Sequence, residues 1–241
     1  MMNNSFVLFL DILGFKDFIL NNEKKLIEQK LKVEFMDTIN AGLSLMYRKE
    51  GKLTLTQNNG LVDFEQSKFN IHIMSDSIII WTNDTKKETF DDLCKFAANH
   101  LFCMFISGIP LRGGIAKGEV LVVEKSLNGI KQTSIVGSGI VKAYEVESIQ
   151  NWMGIGIDSQ ITCEETNDVI KTTVPMKNGT KEMYVLDWSQ WIMETIKDPL
   201  PLSFFEDNFA KYGKSIEDPR VKEKIQNTYE FYLKMKKLKG F

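Results

Sequence analysis

Five consecutive apolar residues, Phe6-Val7-Leu8-Phe9-Leu10, run directly into an aspartate, Asp11. A short unbroken apolar run is the pattern of a strand buried on both faces. Such a strand belongs in the middle of a sheet, and it leaves Asp11 at the strand end, just before Ile12-Leu13-Gly14-Phe15. Further along, Phe69, Ile71 and Ile73 alternate with polar neighbours up to Met74-Ser75-Asp76-Ser77, after which Ile78-Ile79-Ile80-Trp81 resumes an apolar strand. This reads as a hairpin with Asp76 at its tip.

The spacing between these pieces is helical. Leu26, Ile27, Leu31, Phe35, Ile39, Leu43 and Met46 recur mostly in steps of three or four and predict one face of a long helix. Phe90, Leu93, Cys94, Ala97, Leu101 and Met104 predict a second helix over Thr89 to Ile106, stopped by Gly108 and Pro110. Leu111 to Val123 suggests another strand pair, whose glycines, Gly113, Gly114 and Gly118, let something approach the backbone closely. Val136-Gly137-Ser138-Gly139 leads into a third helix, Met153 to Ile157 and Met183 to Leu186 read as strands, and Asn58-Asn59-Gly60 and Asn178-Gly179 as turns. Asp218 is a candidate N-cap with Pro219 in the first helical position. The expectation is an α/β (α+β) chain with a sheet of about six or seven strands flanked by helices, residues 1–190 forming the main unit and 191–241 a helical extension packed on it.

Composition narrows the function. At 241 residues, 43% hydrophobic and 26% charged, the chain is an ordinary globular protein. A formal charge of -2 lacks the basic surface of a general nucleic-acid binder, so neither DNA nor RNA is an expected partner. The stretch Ile71 to Thr82 is too short for a membrane helix and is interrupted by Asp76, and the N-terminal apolar run is too short for a secretory signal, so a cytoplasmic location is expected. Three cysteines without metal-type spacing fit reduced core thiols. Two histidines, His72 and His100, exclude a multi-histidine metal site, and His100 reads as a packed or surface residue. Walker and dinucleotide-binding glycine loops are absent.

What remains is a pair of carboxylates. Asp11 and Asp76 each end or interrupt an apolar run, where an unpaired charge is expensive, and adjacent strands would bring them together. Side by side they repel, and a hard divalent cation, Mg2+ or Mn2+, relieves that repulsion with help from substrate phosphates. The amides of Leu13, Gly14 and Phe15 offer a phosphate cradle at a helix start. Each Asp alone also reads as a helix cap or turn residue. Their order, followed by Arg112-Gly113-Gly114-Ile115, argues for the pair.

These pieces resemble the class III nucleotide cyclase family over about residues 5 to 160. Asp11 to Phe15 match the first metal-binding Asp and phosphate loop, Ser75-Asp76-Ser77 the second, Arg112 to Glu119 the following strand pair, and Gly137 to Glu145 the last motif. The resemblance implies a palm-like α/β domain with a mostly antiparallel sheet, two divalent cations on Asp11, Asp76 and the Ile12 carbonyl, and sites shared between head-to-tail protomers of a homodimer. It also implies base recognition by His72 and Ser134, where the purine enzymes carry other residues. Val141 and Glu145 replace the family's Asn and Arg, leaving Arg112 and Lys142 as available cations, although each also reads as a surface residue. Within the family the set is similar to the pyrimidine cyclases of the bacterial Pycsar antiphage system. This implies UTP, or else CTP, as substrate, a cyclic nucleotide as product, and a separate effector that the product activates. Tyr47 is placed to restrict the pocket to small bases, or serves as a core or surface aromatic.

Overall fold

The computed structural model describes residues 3–39, 68–127, 130–196 and 199–240. β1 (Asn3–Ile12) lies in the middle of the sheet, antiparallel to β3 (Ser77–Thr82) on one side and β4 (Leu111–Leu127) on the other. Its position follows from its sequence: Phe6, Val7, Leu8 and Leu10 are all buried, which only a central strand with both faces covered allows. β2 (Phe69–Met74) and β3 form the expected hairpin. The full order is β2-β3-β1-β4-β6-β8-β7, with β5 (Ile130–Val136) paired to the far half of β4. β6 is Ile155–Ile157, β7 Val169–Met176 and β8 Gly179–Leu186.

Among the described residues the sheet has eight strands, against the expected six or seven. Lys131-Gln132-Thr133-Ser134 in β5 has no apolar run, and it is a strand because β4 offers it a ladder. The run expected as a strand pair, Leu111 to Val123, is a single strand whose partners are β1, β5 and β6.

Helices cover both faces. α1 (Phe15–Leu20) and α2 (Lys24–Lys30) follow β1, and α2 continues into a π-helical stretch, Leu31–Asp37. Leu43, Met46, Tyr47 and the Asn58-Asn59-Gly60 turn lie outside the described residues. Phe6, Leu8, Leu10 and Ile12 point into the main core, shared with α3 (Lys87–Ile106) and with the C-terminal helices α5 (Ser189–Thr195), α6 (Leu202–Ala210) and α7 (Pro219–Lys239). Phe105 anchors this layer, packing against Trp188, Phe204, Phe205 and Phe209. Burying a side chain of this size contributes roughly 1.5–3 kcal/mol. Asp218 caps α7, accepting the Arg220 N–H at 2.8 Å, with Pro219 next to it. Among the described residues, no helix is long and apolar enough to cross a membrane.

The opposite face carries α4 (Ser138–Ser148), under which Val7, Ile79, Ala116, Val120 and Ala143 form a second, smaller core. The glycines of β4 let it approach. A Cβ on Gly114 would lie 2.2 Å from the Ala143 carbonyl oxygen, and one on Gly118 would lie 2.5 Å from the Gly139 nitrogen.

Candidate functional site

Strand register brings the two aspartates to one end of the sheet. Asp11 pairs with Ser77 on β3, and Asp76 is in the turn just before that serine. The Ile12 N–H donates to the Asp76 carbonyl at 2.9 Å, fixing the hairpin tip against the end of β1. Ser75 completes the turn in the left-handed region, at φ 57°. Burial raises the Asp11 carboxyl above the usual carboxylate range; the Arg112 charge opposes the rise and the Asp76 charge adds to it.

Arg112 is opposite Asp11 on β4 and only 8% exposed. Its Nη2 lies 3.4 Å from Asp11 Oδ2, its Nη1 donates to the Gln150 carbonyl at 3.0 Å, and its Nε donates to the Glu147 carboxylate. Glu147 is buried at the end of α4, and burial raises its carboxyl, with Arg112 opposing. The Gln150 side chain donates to the Gly113 and Val146 carbonyls at 2.7 and 2.9 Å, locking the turn after α4 onto β4. Arg112 is thus a buried ion-pair residue beside Asp11 and not a surface one.

The other sequence candidates are spread more widely. His72 is in one cross-sheet row with Ile79, Phe9 and Gly114, next to the row of Met74, Ser77, Asp11 and Arg112. The rows are two residues apart, about 7 Å, so His72 and Asp11 project from the same face. α4 covers the β1 and β4 part of that face, where Tyr144 meets Phe9 edge-on at 5.5 Å. Beyond it, His72 lines a cleft of about 820 Å3 with Asn70, Trp81, Glu124, Thr133 and Ile135. Ser134 is exposed and alternates with Thr133 and Ile135, so its side chain points away from that cleft. Lys142 bonds Gln160 at 2.9 Å, one turn into α4, at the opposite end of the helix from Glu147 and Arg112. Tyr47 lies outside the described residues.

The phosphate cradle needs one correction. The Leu13 N–H donates to the Pro110 carbonyl at 2.9 Å, so it is engaged within the fold and not open to an anion. Gly14 takes φ 76° and Phe15 begins α1. A Cβ on Gly14 would lie 2.7 Å from the Lys214 side chain, whose stem crosses the loop there.

Chemically, the site offers two neighbouring carboxylates, both half-buried. Among the described residues there is no group of three or more His, Cys, Asp or Glu side chains able to hold a metal alone. Two carboxylates at a strand end suit a hard divalent cation whose remaining positions go to water and substrate oxygens. Asp11 and Asp76 are donors of that type, brought to one end of the sheet.

No family model matches the chain, and no curated protein matches its sequence. Solved structures do match. The non-canonical dimeric guanylyl cyclase domain of the RhoGC fusion protein from the aquatic fungus Blastocladiella emersonii superposes with a TM-score of 0.51 at 16% identity, over 76% of this chain and 95% of that one. A bacterial light-regulated adenylyl cyclase gives a TM-score of 0.51 at 10% identity, over 78% of this chain and 52% of that one. The fold is that of the nucleotide cyclases. Within this cyclase fold, sequence reading missed Glu147, Gln150, Lys177 and Lys224. Glu147 carried a signal, being a carboxylate on the face of a short helix that a glycine-rich strand must receive. Lys177 and Lys224 carried none, because only the docking of α7 and the β7–β8 hairpin brings their charges to Asp11.

Proposed function

We propose that the chain is a metal-dependent nucleotidyl cyclase that converts a pyrimidine nucleoside triphosphate, UTP in the first place and CTP as the alternative, to the 3',5'-cyclic monophosphate and pyrophosphate. The observation that carries this is the meeting of Asp11 and Asp76 at one end of a cyclase-fold sheet, with the Asp76 charge close enough to act on the Asp11 carboxyl. In the reaction the ribose 3'-oxygen bonds to the α-phosphorus, its proton leaves, and the bond from the α-phosphorus to the bridging oxygen breaks, releasing pyrophosphate. Mn2+ or Mg2+, when bound, supplies Lewis acidity toward the hydroxyl and the phosphates. Arg112 is the residue that holds Asp11 in place, being itself fixed by Glu147 and the Gln150 carbonyl.

Base choice rests on His72, on the open part of the Asp11 face. A neutral imidazole has one donor and one acceptor, which match a carbonyl and the N–H of uracil. Ser134 and Lys142, away from Asp11 in one protomer, are available to a second copy in a head-to-tail homodimer. Exposed Val122, Val123, Val136, Val141 and Tyr144 give that copy an apolar surface to cover. In this reading residues 1–190 are the catalytic unit, 191–241 a helical extension, and the cyclic nucleotide a signal to a separate effector in antiphage defence.

The test is incubation of the purified protein with each of the four ribonucleoside triphosphates in Mn2+, with products resolved by mass spectrometry and Asp76→Ala as control. Cyclic UMP that disappears in the variant is the expected result. Cyclic CMP would move the assignment to CTP, whereas a cyclic purine or a dinucleotide would overturn the pyrimidine reading. A second reading, a nucleotide-binding domain without turnover, is favoured by the exposure of Val141 and Glu145 on α4 and by the full engagement of Arg112. Tight UTP binding in Mn2+ with no pyrophosphate released would establish it.

A further inference from the structure

Beside Arg112 opens a second cleft, of about 550 Å3, between Asn151, Lys177 and the first turns of α7. Its charged residues are not equivalent. Arg112 is neutralised by Glu147 and Asp11, and Arg220 is paired with Asp218 at 3.0 Å. The ammonium groups of Lys177 and Lys224 have no hydrogen-bond or ion-pair partner among the described residues, and the remaining carboxylate, Glu223, is on an exposed residue. Burial lowers Lys224 to about 8, with the Arg112 charge adding to the effect and Asp11 opposing it. A half-buried ammonium without a counter-ion is unfavourable unless an anion completes it. Both lysines are near enough for their charges to act on Asp11, with Arg112 as the wall between the cleft and that carboxylate.

We infer that this cleft is a polyphosphate site in which Lys224 on the C-terminal helix, with Lys177 facing it, holds the pyrophosphate that leaves the Asp11 centre. The source of the ligand rests on the cyclase reading, but the site itself does not. Two ammonium groups with three donors each suit a compact, multiply charged anion. This also gives α7 a function beyond packing: it brings a cation to a carboxylate site that the sheet alone leaves short of positive charge.

The experiment is isothermal titration of the full chain with inorganic pyrophosphate in a chelator-containing buffer, without nucleotide. The wild type is expected to bind, Lys224→Met to bind roughly tenfold or more weakly, and Lys224→Arg to recover most of the affinity. Lys222→Met removes an exposed charge from the same helix and should leave binding unchanged. Equal affinity in wild type and Lys224→Met, or no binding by the wild type, overturns the site. Turnover separates the two ideas. If no cyclic nucleotide forms yet pyrophosphate binding depends on Lys224, the site stands and the cyclase reading falls; cyclisation without Lys224-dependent binding means the reverse. In an active enzyme, a rise in KM for the triphosphate in Lys224→Met assigns the site to the substrate tail, and weaker pyrophosphate inhibition at unchanged KM assigns it to the released product.

Discussion

A single guanidinium, that of Arg112, spans two carboxylates of different burial, bonding Glu147 inside the fold while its Nη2 stays 3.4 Å from Asp11 Oδ2 at the edge of the site. Removing the arginine therefore does more than delete a charge, because Glu147 is left buried without compensation. Arg112→Ala should destabilise the chain by about 3–5 kcal/mol, read from urea unfolding. Arg112→Leu combined with Glu147→Leu should recover most of that loss, since the buried Glu147 charge goes with its partner and Asp11 keeps partial access to water. A double variant no more stable than Arg112→Ala would show that the pair is not what makes the single change costly.

The contact of α4 with β4 depends on the absence of a side chain at Gly114, where a Cβ would be 2.2 Å from the Ala143 carbonyl oxygen. Backbone cannot yield as a side-chain tip does. Gly114→Ala should lift α4, loosen Glu147 from Arg112, and destabilise by about 1–3 kcal/mol. The companion readout is the near-ultraviolet signal of Tyr144, packed on Phe9 from the same helix. An unchanged unfolding midpoint would mean that α4 is not held at this distance.

The sequence carried β1, the β2–β3 hairpin and α3 clearly because each has a local signature, an apolar run or a helical period, that burial then satisfies. β5 had no such signature, since a polar strand is stabilised by its ladder to β4. The glycines after Arg112 announced a close approach without naming the partner, which is α4. At the site, Asp11 and Asp76 were legible as charges breaking apolar runs. The partner of Arg112 was missed: Glu147 is a carboxylate on the helix that the glycine-rich strand receives, a signal outweighed by its reading locally as one more acidic residue near a helix end. The amide of Leu13 was illegible for a different reason: whether a backbone N–H is free depends on what the fold places opposite it, and here that is the Pro110 carbonyl, nearly a hundred residues away.

The end of α7 is tied to the sheet by an ion pair from Lys239, besides the bond from Lys234 Nζ to the Thr173 carbonyl at 3.2 Å. Lys239 Nζ lies 2.6 Å from Oδ2 of Asp187, a fully buried carboxylate at the end of β8. Lys239→Met should destabilise by about 2–3 kcal/mol and fray the last turn of α7. Adding Asp187→Asn should return part of the loss by removing the stranded charge. Hydrogen exchange at residues 235–239 reads the fraying directly, and full protection in Lys239→Met would refute the role of the pair.

His100 on α3 gives the acid side of the stability profile. It is buried, stacked on Phe96 at 5.4 Å between centroids, and neither ring nitrogen has a hydrogen-bond partner among the described residues. Burial lowers it to about 4, from 6.5 in an exposed imidazole. Between those values the unfolded chain takes up a proton that the folded chain refuses, so this residue withdraws stability as pH falls from 6.5 to 4, by about 3 kcal/mol in all. Asp11 and Glu147, both raised, act in the opposite sense, because their folded forms hold protons more tightly than the unfolded chain. The contribution of His100 is isolated by difference. His100→Phe should match wild type in pH dependence above about pH 7 and lose less stability than wild type on acidification to about pH 4, measured by urea unfolding at each pH. Parallel curves for the two proteins would mean that the folded chain protonates His100 as readily as water does.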